Sequence, residues 1–98
     1  MSIIALFCFL FTNTQGLAED SKAGEVLYQK CIQCHGKEGQ GDAAQGAPKL
    51  AGQYAWYLET QLKSFKNKVR SNPKMEPFLA GLTEANFKDL AAYISNLK

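Results

Sequence analysis

Two thiols and an imidazole stand within five residues, Cys31-Ile32-Gln33-Cys34-His35. Three chemistries are open to such a set. A disulfide between Cys31 and Cys34 would make a thioredoxin-like redox site, but that site belongs in a strand–helix–strand context. A zinc centre needs four ligands, and beyond residue 18 the chain holds only these two Cys and this one His. The third chemistry is covalent attachment of haem. At this spacing both thiols reach the two vinyl groups on one edge of the porphyrin as thioethers, and the next residue, His35, falls beneath the iron. Neutral imidazole ligates iron well, and its second ring nitrogen remains to be oriented by the protein. Chance could also produce three fixed positions in five. A short chain with no other Cys or His after residue 18 favours haem over chance.

Iron held by one histidine has a sixth position. Met75 is the only methionine besides Met1. A loop methionine is usually core filler, but Met75 lies in the polar stretch Asn72-Pro73-Lys74-Met75-Glu76-Pro77. Its two prolines predict an extended segment, suited to crossing the far face of a haem. Water or a Lys is the alternative sixth ligand and would leave the iron open to small molecules. The Nδ1–H of His35 also needs an acceptor, and a carbonyl of the Gly46-Ala47-Pro48 turn is expected to supply it. A plain turn proline would explain Pro48 as well.

The elements that must position these groups are helical, with no convincing strand alternation. A first helix is expected from Ser21, as N-cap, to about Cys31. A second runs from about Gln53 to Asn67, with Tyr54, Tyr57, Leu58, Leu62 and Phe65 on one side. A third starts at Thr83 as N-cap, with Glu84 in its first turn and Phe87, Leu90, Ala91, Ile94 and Leu97 as its apolar stripe. Two loops rich in Gly and Pro, Gly36 to Pro48 and Lys68 to Leu82, are long for a compact domain unless they wrap a large ligand. The tyrosines and Trp56 of the middle helix are expected to line the haem pocket. The fold class is all-α, with a core that is partly not protein.

The 98 residues make one small domain, with a formal charge of +2 that sets it apart from strongly basic nucleic-acid binders. Residues 1–18 read as a secretory signal: Ile3 to Phe11 is unbroken apolar sequence, and small residues at Gly16 and Ala18 precede cleavage after Ala18. No Lys or Arg precedes the run. A retained anchor is the rival, but the run falls short of the roughly 20 residues of a membrane span. Cys8 sits mid-run beside Phe7, which disfavours lipid attachment there. Residues 19–98 then form the working domain, small enough to need a staple, and the haem would be that staple.

These residues together resemble the class I c-type cytochromes of bacteria. Gly24 and Tyr28, with Leu90 and Tyr93, resemble the family's crossing of first and last helices. Cys31 to Gly36 resembles its haem site, Pro48-Lys49-Leu50-Ala51-Gly52-Gln53 its proline turn, and Met75 to Leu82 its axial-methionine loop. The likeness is greatest to one lobe of the periplasmic dihaem cytochromes, although this chain has a single haem motif. The resemblance implies a small cytochrome c fold of about three main helices around one covalent haem c, with His35 and Met75 as axial iron ligands. It implies a soluble periplasmic electron carrier and not an enzyme, or alternatively the haem-bearing subunit of a larger dehydrogenase or oxidase complex. No residue cluster suggests a nucleophile or an acid–base pair, and no second His is present for a peroxidase or gas sensor. Redox partner proteins are expected to dock through Lys63, Lys66, Lys68, Arg70 and Lys74, five cations in twelve residues with no acid between them. An ordinary solvated helix face is the bland reading of that run.

Overall fold

The computed structural model describes residues 19–98. The apolar run, Cys8 and the expected cleavage point after Ala18 lie outside the described residues. The chain forms α1 (Ser21–Tyr28), a 3-10 turn (Gln29–Cys31), α2 (Ile32–His35), a second 3-10 turn (Ala43–Gln45), α3 (Ala55–Lys66), α4 (Glu76–Leu79) and α5 (Glu84–Ser95). Among the described residues the only β pairing is an isolated bridge between Asp42 and Ala47. No described helix is long and apolar enough to cross a membrane.

α1 starts one residue earlier than its N-cap was expected to allow. Asp20, not Ser21, is the cap, its carboxylate accepting from the N–H groups of Lys22 and Ala23 at 3.0 and 3.1 Å. A carboxylate both satisfies orphan donors and meets the positive end of the helix dipole, which a serine hydroxyl does only in part. The Asp20 N–H in turn donates to Asp89 on α5 at 2.8 Å. α5 begins as its sequence predicts: Thr83 and Asn86 form a reciprocal capping box. Its stripe of Phe87, Leu90, Ala91 and Ile94 is buried.

The two helices meet at Gly24. A Cβ there would stand 2.0 Å from the Asp89 carbonyl oxygen and 2.9 Å from the Tyr93 Cβ, so only a bare backbone fits this crossing. Beside it Tyr28, with 0% of its surface exposed, sets its ring 5.5 Å from that of Tyr93. Tyr28, Leu58, Leu90, Ala91 and Ile94 form the protein core. α3 contributes only Leu58 to it as a buried residue. Tyr57, Leu62 and Phe65 of α3 line a cleft instead, with Leu62 also packing against the edge of this core.

Candidate haem site

The paired thiols sit where a 3-10 turn hands over to one turn of α-helix. Cys31 caps α2, and Cys34 follows at i+3, the spacing at which helical neighbours share a face. His35 ends the turn and is 5% exposed. Its Nδ1–H donates to the Pro48 carbonyl at 2.9 Å, leaving Nε2 as the nitrogen with a free lone pair. The acceptor lies within the turn marked out in the sequence.

That acceptor is held in place by a residue to which the sequence attached no role beyond loop glycine. Gly41 has φ +83, and its N–H donates to the His35 carbonyl at 2.7 Å. A Cβ on Gly41 would meet the Lys49 nitrogen, the Ala47 oxygen and the Pro48 carbon at 2.7–2.8 Å. Backbone therefore packs directly on backbone beneath the imidazole. Gln45 likewise went unread. Its side chain accepts from the Cys34 thiol at 3.4 Å and donates to the Gln33 carbonyl at 3.0 Å, fastening the Gly36–Pro48 loop to the thiol turn. The nearby Asp42, whose carboxyl is held below its ordinary range first by the Gln45 side chain and then by the Ala44 N–H, caps the Ala43–Gln45 turn, and an Asp in that position is a signal the sequence does carry. On the other side of the turn, the Tyr28 hydroxyl donates to the Gly36 carbonyl at 2.7 Å.

Met75 lines the same cleft as His35, and its loop is not extended. The Asn72 side chain accepts from the N–H groups of Lys74 and Met75 at 3.1 and 3.3 Å, and Met75 itself is in right-handed helical conformation as the cap of α4. Pro77 falls in the first turn of α4, where a fixed φ and a missing N–H cost nothing. Pro77 thus helps start a helix and Pro73 sits in the turn before it, so neither straightens the segment. Glu76 anchors the segment, accepting from the Asn72 N–H at 3.0 Å and from Lys68 at 3.1 Å.

Cys31, Cys34, His35, Pro48 and Met75 all line one cleft of about 770 Å³. That volume is within the range of sites that bury most of a bound organic group. Its walls are mainly apolar, supplied by side chains such as Leu27, Leu62, Phe65 and Leu79. Cys31 and Cys34 are free thiols. Burial pushes the Cys31 thiol up to about 11, with Cys34 adding to the rise and Lys30 opposing it. No group of three or more potential metal-binding Cys, His, Asp or Glu occurs among the described residues, and a zinc centre needs four ligands. The zinc reading therefore fails, while a flat apolar macrocycle joined to both sulfurs fits the thiols, the imidazole and the empty apolar walls together.

The middle-helix aromatics divide. Tyr57 lines the cleft, whereas Trp56, 66% exposed, borders a separate shallow hollow with Glu19 and Lys88. Tyr54 stacks on Trp56 on the outside. The expectation that these rings together line the pocket fails for Tyr54 and Trp56, because the face of α3 that carries them turns away from the cleft. The basic run is also largely engaged. Lys63 pairs with Glu59 and Glu84, Lys68 with Glu76, Lys66 donates to the Leu82 carbonyl and Arg70 to Gln61.

The model of the family described as "Cytochrome c" matches residues 21–98. Cytochrome c-554(548) of Halomonas halodenitrificans is 39% identical over 82 residues, covering 81% of this chain and 98% of its own. A thiosulfate dehydrogenase electron acceptor of Stutzerimonas stutzeri is 44% identical over 62 residues, 63% of this chain and 29% of its own. Among solved structures, reduced cytochrome c4 from Pseudomonas stutzeri superposes with a TM-score of 0.74 at 28% identity, covering 89% of this chain and 55% of that one. The chain thus spans nearly all of the first relative, under a third of the second and about half of cytochrome c4. Because the match runs through the helix crossing, the thiol turn and the methionine loop alike, the chain belongs to the cytochrome c family, electron carriers with covalently bound haem c and its iron.

Proposed function

We propose that this protein is a periplasmic single-electron carrier in which His35 and Met75 hold the haem iron from opposite sides. Haem c supplies the one-electron ferrous–ferric couple, and the protein supplies binding, orientation and electrostatics. The observation that carries the reading is the hydrogen bond from His35 Nδ1–H to the Pro48 carbonyl. It fixes the tautomer, directs Nε2 to ligation and makes the imidazole a stronger donor. Met75 lines the same cleft on a loop tied by Asn72 and Glu76, and a His/Met pair raises the potential relative to other ligand sets. Cys31 and Cys34 bond the haem through thioethers, which makes its binding irreversible. Residues 1–18 would direct export and be removed after Ala18, since the attachment of haem to such sites in this family takes place outside the cytoplasmic membrane.

The test is Met75→Ala. The expected variant keeps its haem, loses the ferric methionine–iron charge-transfer band and has a lowered reduction potential. An unchanged band and potential would remove Met75 from the iron.

A second reading has one observation in its favour. The relative named as an electron acceptor of thiosulfate dehydrogenase makes a dehydrogenase a candidate electron donor for this chain as well, whether the chain works free or as a bound subunit. Partners would meet the protein on the side where Lys63, Lys66, Lys68, Arg70 and Lys74 lie.

A further inference from the structure

A hollow of about 340 Å³ lies between α3 and α5 and shares no lining residue with the haem cleft. Its floor is built from small residues of α5, Ala91, Ala92 and Ser95. The polar groups there are already engaged. The Ser95 hydroxyl and the Asn96 side-chain N–H both donate to the Ala92 carbonyl, at 3.1 and 2.9 Å. An apolar ring could cover these donors without leaving either unpaired.

The ring that fits such a floor stands beside it. Trp56 of α3 forms one wall of the hollow and is 66% exposed. Tyr54, 70% exposed, stacks on it with 6.1 Å between ring centroids, and Tyr57 meets it edge-on at 5.9 Å. Held between two rings, the indole is a rigid anchor of the kind that dominates protein interfaces. Knob and hole thus lie on one face. A two-fold interface needs a patch that is its own complement, and the charges of this face agree with that. Its rim carries Glu19 and Glu59 together with Lys88. Lys88 forms no ion pair among the described residues, and Glu59 engages Lys63 through one carboxylate oxygen, Oε2. A two-fold axis along the groove lays each α3 on the partner's α5. Trp56 then covers the partner's Ala92 and the partner's Ser95, and Glu59 approaches the partner's Lys88. A small apolar ligand would account for the hollow but not for the adjoining indole or the charges of both signs.

We propose that this face joins two copies of the chain in a reversible symmetric dimer, with Trp56 of each copy seated in the hollow of the other. Its strength can be bounded. A fully buried Trp or Tyr covers about 150–250 Å². Two Trp56 and two Tyr54 side chains, each 66–70% exposed in the single chain, would therefore bury roughly 400–700 Å². Such an area belongs with weak, transient interfaces, so the dimer forms at high protein concentration and separates on dilution. Pairing through this face uses none of the residues that line the haem cleft.

The experiment is sedimentation equilibrium of the holoprotein from about 10 μM to about 1 mM, a range that spans weak association. The mass of the wild type should climb from one chain towards two as concentration rises. Trp56→Ala removes the knob and should stay at one chain throughout. Ala92→Phe keeps the indole but fills the hollow, and should do the same. Lys88→Glu sets like charges against each other and should weaken association by about tenfold. Adding Glu59→Lys to it should restore most of that loss. A wild type that remains a single chain at the highest concentration overturns the proposal. So does a dimer that Trp56→Ala and Ala92→Phe leave intact, since its contact would then lie elsewhere, for example at the exposed Val69 and Phe78. If neither of those variants yields folded holoprotein, Lys88→Glu decides, and association as strong as in wild type overturns the proposal.

Discussion

At the scale of single residues, the site depends on groups whose roles are set by one hydrogen bond or one covalent bond each. Cys31 and Cys34 are the most direct case. Cys31→Ala should leave haem attached through a single thioether in reduced yield, and Cys31→Ala with Cys34→Ala should give no holoprotein. Denaturing gels stained for haem check both. Cys31, Cys34, His35 and Met75 stand out in the sequence because their types are rare: there is one His, and after residue 18 one Met and two Cys three positions apart. Gly41 and Gln45 were not readable. Nothing in a Gly-rich loop distinguishes the glycine that packs against the Pro48 backbone from its neighbours, and Gln45 acts through contacts eleven and twelve residues away.

At the scale of elements, the α1–α5 crossing is the device that closes the protein core behind the cleft. Gly24→Ala places a methyl against backbone on α5, which cannot move as a side-chain tip can. We expect a loss of about 3 kcal/mol, measured by denaturant unfolding of the holoprotein. Tyr28 gives the crossing its alkaline limit. Burial, with added repulsion from Tyr93, pushes its hydroxyl up to about 12, against an ordinary 10.0. Because the folded-state pKa is raised, this contribution to stability is complete below about pH 10 and is lost as pH climbs towards 12. Tyr28→Phe should cost about 1 kcal/mol at neutral pH, through the unpaired Gly36 carbonyl. It should also show a shallower loss between pH 10 and 12, followed by unfolding at fixed denaturant. The capping box at Thr83 and the apolar stripe of α5 were legible because both are local patterns. The Asp20 cap was missed because Ser21 competes for the same position. The α4 turn was missed because a proline reads equally as a straightener or as a helix starter until the preceding Asn72 turn is known.

At the scale of the whole molecule, the apolar cleft is the larger part of the interior that α3 faces, and the loops are long because they wrap it. Charge on the outside is more balanced than the basic run implies, since Lys63 and Lys68 are paired with carboxylates. Electron transfer with a purified partner should still slow as ionic strength rises, because charges within the roughly 8–10 Å screening length of the interface steer the encounter. Lys66→Gln with Lys68→Gln should flatten that dependence. A rate indifferent to salt would leave the run as ordinary solubilising surface.

If His35 and Met75 hold the haem iron between them, as proposed, no position at the iron is open to a small ligand. The most direct test is the spectrum of the reduced holoprotein under carbon monoxide. Wild type should show no change at neutral pH, and Met75→Ala should rapidly form a carbon monoxide adduct. Prompt binding by the wild-type protein would show an open sixth position and contradict this assignment.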